Sequence, residues 1–298
     1  MTPDWIAVDW GTTNLRVWAM GPSGVLAEAT SADGMAALTG DGFEAALLRL
    51  IGPWLGDHPV PVIACGMVGA RQGWHEAPYR RVPCAPVAPG SGVAVPVQDR
   101  RIDLRIVPGL RQDAPADVMR GEETQVAGVL ALHPAFDGVI CLPGTHSKWV
   151  HVSAGEVVSF QTFMTGEMFA LLSQQSVLRH AMPGDGADDE AFDAAVAETL
   201  SRPERLAARL FGLRAGSLLH DLPPPAARSR LSGLLIGAEL AAARPYWLGQ
   251  RVILVGSPRL AAAYARALAA QGLTAEALDA TACTLAGLAA ARHPAGDR

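Results

Sequence analysis

Ile6-Ala7-Val8-Asp9-Trp10-Gly11-Thr12-Thr13-Asn14 is the stretch on which the fold turns. A continuously apolar run, Ile6 to Val8, reads as a central strand covered on both faces. It ends in an acid and a Gly-Thr-Thr turn. Beyond the turn Leu15, Val17 and Ala19 alternate with Arg16 and Trp18, the period of a half-buried strand. A second turn, GPSG, leads into VLAEAT, so the first thirty residues predict a three-stranded antiparallel meander. An acid at the end of a buried strand, next to backbone N–H groups and Thr hydroxyls in one concavity, suits the metal-bound phosphates of a nucleotide. Gly11 lets the backbone approach closely. An ordinary hairpin with Asx and Thr turn chemistry would carry the same string.

The pattern recurs 133 residues later, where Val139-Ile140-Cys141-Leu142-Pro143-Gly144-Thr145-His146 overlays Ile6 to Thr13 and aligns the two Gly-Thr turns. KWVHV and EVVSFQTF then follow as further strands. Two strand-turn-strand units predict a duplicated two-lobed architecture, residues 1–133 and 134–298, with an interlobe cleft. Facing hairpins of this kind can clamp phosphates from both lobes. Lys148, the one Lys among 24 basic residues, lies just past the second turn; a solvated strand residue is the competing reading.

Helical patterns cover 41–52, 117–132, 188–200, 204–216, 226–244, 258–271 and 280–292, with strands at 101–107 and 251–257. The last strand ends in Gly256-Ser257 before a helix, a turn that can pass close to a base or ribose, although such junctions are common in α/β proteins.

Composition narrows the function. With 298 residues, half of them apolar and 18% charged, the chain can build a large core, and disorder is excluded. A net charge of -5 without basic clusters argues against nucleic acid. Cys65, Cys84, Cys141 and Cys283 are scattered, so neither a zinc site nor a disulfide scaffold is indicated. No basic leader or long apolar span occurs, and a cytoplasmic protein without membrane contact is expected. No P-loop, G-x-G-x-x-G after a strand, protein-kinase set, G-x-S-x-G or H-E-x-x-H is found.

The order DWGTTN, GTHSKW, VGSPRL resembles the two phosphate elements and the adenosine element of the actin, hexokinase and Hsp70 superfamily. CGMVGARQGWHEAPY (65–79), PADVMRGEETQ (115–125), LPGTHSKWV (142–150), TFMTGEMFALL (162–172), SVLRH (176–180), LAARLFGLRAG (206–216) and LSGLLIGAEL (231–240) resemble the 2-dehydro-3-deoxygalactonokinase family in colinear order. The resemblance implies an α/β, actin-like (ribonuclease H-like) ATPase fold. It also implies transfer of the γ-phosphate of ATP, with Mg²⁺, to the 6-hydroxyl of 2-dehydro-3-deoxy-D-galactonate in galactonate catabolism. Two positions depart from the superfamily pattern: Leu142 stands where an Asp is usual, and Gly256-Ser257 where Gly-Gly is frequent. Asp9 is then left as the main magnesium-linked carboxylate, acting through water.

The resemblance assigns ATP to Asp9, Gly11, Thr12, Thr13 and Asn14, to Gly144, Thr145, His146 and Lys148, and to Gly256 and Ser257. Asp117 is expected as the catalytic base at the start of a helix, because the base Asp of hexokinase-like folds precedes the second phosphate turn; an N-cap is its competing role. The substrate carboxylate calls for arginine, with Arg71 and Arg120 as candidates. Trp74 would stack on the sugar, Glu122, Glu123 and Glu167 would bind its hydroxyls, and Gly34, Met35, Gln72 and Thr165 complete the substrate side. Alternatives are a kinase of another sugar acid or amino sugar, and a nucleotide sensor without turnover. The expected partner is a small sugar acid; a homodimer is admitted but not required.

Overall fold

The computed structural model describes residues 3–40 and 42–292. Asp41, first residue of the helix expected at 41–52, and the outer ends of both expected lobes lie outside the described residues. The chain forms two compact units, one running through Asp137 and including Val152–Ser159 and the C-terminal helix, the other comprising Gly138–His151 and Phe160–Asp279.

The first unit opens with β1 (Trp5–Trp10), β2 (Leu15–Gly21) and β3 (Gly24–Ser31), then α1 (Gly42–Ile51), β4 (Val60–Gly66), β5 (Arg80–Arg81), β6 (Val93–Ala94), β7 (Ile102–Ile106), β8 (Leu110–Asp113), β9 (Ala116–Met119) and α2 (Glu122–Leu132). The main sheet has the order β3-β2-β1-β4-β7-β6, and β5-β8-β9 form a small separate sheet. β1 pairs antiparallel with β2, Trp10 opposite Leu15, and parallel with β4, Asp9 opposite Cys65. The expected meander is present. Apart from Asp9, β1 is apolar because both faces are covered: Ile6, Val8 and Trp10 pack with Phe43, Leu47 and Ile51 of α1, while Trp5 and Ala7 pack with Ala127 of α2 and Leu288 of the C-terminal helix. Trp18 and Met20 join that second face, so β2 is buried more fully than its alternation predicts.

The second sheet consists of β10 (Gly138–Leu142), β11 (Ser147–Ser153), β12 (Glu156–Phe163), β13 (Val252–Gly256) and β14 (Glu276–Asp279), all in the second unit except Val152–Ser159 at the β11–β12 hairpin. Its sheet order, β12-β11-β10-β13-β14, repeats the β3-β2-β1-β4-β7 order of the first, and β10 pairs parallel with β13 as β1 does with β4. The repeated topology bears out the duplication. The helices of the second unit are α3 (Thr165–Gln174), α4 (Asp189–Ser201), α5 (Leu206–Leu219), α6 (Pro224–Ala242), α7 (Arg244–Trp247) and α8 (Pro258–Ala269).

Three local expectations need correction. The helix expected over 117–132 begins only at Glu122, since 116–119 is spent as β9, pairing with β8. The helix expected to stop at Gly216 continues to Leu219. The C-terminal helix α9 (Ala280–Arg292), expected in the second lobe, packs in the first unit against α2. Glycines permit that crossing: a Cβ on Gly128 would lie 1.8 Å from the carbonyl oxygen of Cys283, and one on Gly287 1.8 Å from that of Thr124.

Candidate active site

In the first unit the β1–β2 turn is closed by the Gly11 N–H, which donates to the Asn14 carbonyl at 2.9 Å. Thr12, Thr13 and Asn14 are exposed. The loop after β3 is fastened to this turn: the Met35 N–H donates to Gly11 O and the Ala36 N–H to Thr12 O, each at 3.0 Å. Gly34 has no room for a side chain, because its Cβ would lie 2.2 Å from the Thr13 carbonyl carbon. Gly34 and Met35 therefore join Gly11 to Asn14 in one place. Asp9 forms an ion pair with Arg16, whose guanidinium lies 5.7 Å from the Trp18 ring centroid.

The start of α2 sits at the same end of the sheet. Gly66, at φ +93°, would place a Cβ 2.6 Å from Trp10 O, and Gly121, at φ +105°, one 3.3 Å from Gly66 Cα. Both need the left-handed region that glycine alone enters freely. Helix α2 thus abuts the ends of β1 and β4. Glu123, fully buried, accepts from the Gly121 N–H at 2.7 Å and from the Thr124 hydroxyl at 2.9 Å. Burial first, then the charge of Glu122, pushes its carboxyl up to about 8. The neighbouring Cys65 thiol is pushed up by burial and then by Asp9 and Glu123. Glu122, half-buried, accepts from the Arg120 N–H at 3.0 Å.

Arg120 is only 8% exposed. Its Nη2 donates to the Ala77 carbonyl at 2.7 Å and its guanidinium stacks 4.3 Å from the Tyr79 ring centroid, while Nε and Nη1 are buried with no hydrogen-bond partner. Buried unpaired donors are costly and call for an acceptor. Arg71 is instead exposed, 3.7 Å from Glu76, and Gln72 is exposed beside it. Trp74 is half-buried, edge-on to Trp10 at 5.9 Å and stacked on Phe43 at 6.2 Å, so most of its ring serves the core margin. Asp117 stands on strand β9 of the small sheet, opposite Gln112, and accepts from the Val118 N–H at 2.7 Å. Its expected place at a helix start is therefore corrected. The capping role falls away with it.

In the second unit the turn between β10 and β11 holds Gly144, Thr145 and His146. The start of α3 closes over it: the Glu167 N–H donates to Thr145 O at 2.9 Å, and a Cβ on Gly166 would lie 2.2 Å from Gly144 O. His146 Nε2 and Glu167 Oε2 are 2.6 Å apart, so Glu167 belongs to this turn. Lys148 is 4% exposed, and the solvated-strand reading does not hold. Gly256 packs on the same turn, its Cβ position 3.1 Å from Pro143 O, and Ser257 leads into α8.

Beside the turn opens a cavity of about 550 Å³, bounded by Gly144 and residues of α3, α4, α6 and α8. Phe169, Leu235, Ile236 and Leu260 give it apolar walls; Arg228 and Tyr264 are among its polar groups. Arg228 lies 5.0 Å from the Phe169 ring centroid, and its Nε is buried without a partner. Sequence reading found the turn and missed this cavity. Glu239, an acid inside the apolar run LLIGAEL, marks a partnered polar group behind the cavity rather than the cavity itself.

Among the described residues no group of three or more His, Cys, Asp or Glu could hold a metal ion, and no helix is long and apolar enough to cross a membrane.

The 2-keto-3-deoxy-galactonokinase family matches residues 9–291. A protein of Rhizobium meliloti (strain 1021) named "Probable 2-dehydro-3-deoxygalactonokinase" is 44% identical over 96% of this chain and 95% of its own length. One of Escherichia coli (strain K12) with the same enzyme name is 36% identical over 98% of this chain and 99% of its own. A Sinorhizobium meliloti crystal structure described under that name superposes with a TM-score of 0.89 at 43% identity, covering 96% of this chain and 95% of that one. With its duplicated sheet, paired Gly-Thr turns and a match over nearly all its length, the chain belongs to the 2-keto-3-deoxy-galactonokinase family.

Proposed function

We propose that the chain is an ATP-dependent kinase that transfers the γ-phosphate to the 6-hydroxyl of 2-dehydro-3-deoxy-D-galactonate, a step of galactonate catabolism. The observation that carries this is the second Gly-Thr turn, which opens onto a largely apolar cavity large enough for a nucleoside. The substrate class comes from the family and from the names of the two relatives.

In this reading the cavity takes the adenosine, with Gly256 and Ser257 at its phosphate end. Gly144, Thr145, His146 and Lys148 hold phosphate from the second unit, and Gly11, Thr12, Thr13 and Asn14 from the first. Mg²⁺ keeps most of its water and asks for one or two carboxylates plus phosphate oxygens. Asp9, which among the described residues belongs to no group of three or more metal-binding side chains, supplies one carboxylate and would hold the ion through water. When bound, the ion supplies neutralisation of the phosphate charge. Arg120 fits the substrate carboxylate best, because its Nε and Nη1 are donors without acceptors, whereas Arg71 is solvated.

The attacking hydroxyl must give up its proton. Asp117 is the proposed base. Glu122 is the second reading, favoured by one observation: α2 begins against the ends of β1 and β4, next to Asp9 and the first turn. Asp117→Asn and Glu122→Gln separate them when turnover and ATP binding are both measured. The base variant keeps ATP binding and loses at least about a hundredfold in kcat, the usual weight of general-base catalysis. Full activity of Asp117→Asn would move the role to Glu122.

A further inference from the structure

Glu239 lies on α6, 3% exposed, beside the buried Leu235, Ile236 and Leu240. A carboxylate taken out of water needs donors, and here it has three. Oε1 accepts from Trp149 Nε1 at 2.8 Å, and Oε2 accepts from the Tyr264 hydroxyl at 2.7 Å and from the Thr165 hydroxyl. The Tyr264 proton is thus spent on Glu239, leaving its oxygen to accept from the Ser147 hydroxyl at 3.0 Å. Its three donors, and the Ser147 hydroxyl behind Tyr264, come from three other elements: Ser147 and Trp149 from β11, Thr165 from the first position of α3, Tyr264 from α8.

Each of these elements bounds the second turn or the cavity. Ser147 and Trp149 follow His146 directly, and both are buried. Thr165 precedes Gly166 and Glu167, which seat α3 on Gly144 and Thr145. Tyr264 and Thr165 line the cavity, whereas Glu239 itself does not.

We propose that Glu239 is a positioning residue for phosphoryl transfer: from beneath, it fixes the second Gly-Thr turn and the start of α3 relative to the cavity, and so sets phosphates in register with the nucleoside. This rests on the nucleotide reading given under Proposed function. Without Glu239 the cavity keeps its apolar walls, but the turn loses the anchor that holds it to them.

The test compares adenosine, which uses the cavity alone, with ATP, which uses cavity and turn. Glu239→Leu keeps roughly the volume and removes the acceptors, and Thr165→Val cuts only the α3 tether at constant shape. Both are measured for adenosine and ATP binding by calorimetry and for kcat and the two KM values, with thermal melting as the folding control. Adenosine affinity is expected to stay within about threefold, while ATP affinity and kcat each fall about tenfold or more, the weight of one hydrogen bond to a charged group. KM for the sugar acid is expected to hold. Glu239→Gln should sit between parent and Glu239→Leu, since its amide oxygen still accepts from Trp149 and the hydroxyls can rotate to accept from its nitrogen. If Glu239→Leu does not fold, Thr165→Val and Glu239→Gln decide. Equal loss of adenosine and ATP affinity, or no loss of ATP affinity and kcat in either variant, overturns the proposal. A parent protein that binds neither ligand overturns the nucleotide reading itself, and the positioning role with it.

Discussion

Glu123 is a carboxyl that the fold keeps protonated well above the ordinary range, at about 8, chiefly through burial. A raised folded-state value means that the native state holds a proton which the unfolded chain releases from about pH 4.5 upward. Its contribution to stability is therefore full below about pH 4.5, declines as pH rises toward 8, and is flat beyond. Glu123→Gln removes this dependence. Melting temperatures across pH 4.5 to 8.5 should fall less steeply in the variant, which gains on the parent toward the alkaline end; parallel curves would show that Glu123 is not protonated in the native state. Gly34 is a second position where one residue decides. Since a Cβ there would meet the Thr13 carbonyl carbon at 2.2 Å, Gly34→Ala must push the first turn aside. At least about a hundredfold in kcat/KM for ATP should be lost, about 2.7 kcal/mol of transition-state binding. Wild-type kinetics in Gly34→Ala would remove the first turn from the phosphate site.

Among elements, the α2–α9 crossing depends on backbone contact rather than side-chain interdigitation. Gly128→Ala and Gly287→Ala would each drive a methyl into a carbonyl at 1.8 Å. Either should cost about 3 kcal/mol or more, as overpacking at a buried crossing does, and lower the thermal midpoint by several degrees; an unchanged midpoint would mean that α9 is not docked there. What could be read in advance sorts by locality. The two Gly-Thr turns, β13 and α8 were legible because strand, turn and helix signals lie within a few residues of one another. β4 was missed because VPVIACG is a short apolar run without period, and α3 because no side chain caps its N-terminus at Met164. Asp117 was misplaced for a different reason. A helical pattern runs back from α2 through PADVMRG, but pairing of β9 with β8 overrides it, and pairing is not a property of the segment itself.

At the scale of the molecule, the same sheet order is built twice, and each copy ends its first hairpin in a Gly-Thr turn. The copies differ in what they add. The first pairs Asp9 with Arg16 beside its turn and sets Glu122 and the buried Glu123 at the start of α2, against the ends of β1 and β4; the second adds α3, α4, α6 and α8 around a cavity with apolar walls. The duplication could be seen in the sequence, whereas the cavity could not, because its walls come from four helices spread over a hundred residues. On the reading proposed above, the nucleoside goes to the second unit's cavity and the sugar-acid carboxylate to Arg120. Arg120→Ala should then raise KM for the acceptor and leave ATP binding unchanged; loss of ATP binding instead would reverse the assignment.

The most direct measurement is ADP release by the purified protein with Mg·ATP, given 2-dehydro-3-deoxy-D-galactonate, its gluconate epimer or no acceptor in parallel. Release that depends on the galacto acceptor is the predicted result. ATP binding without release for either acceptor would contradict it, and would point to another acceptor or to a nucleotide sensor.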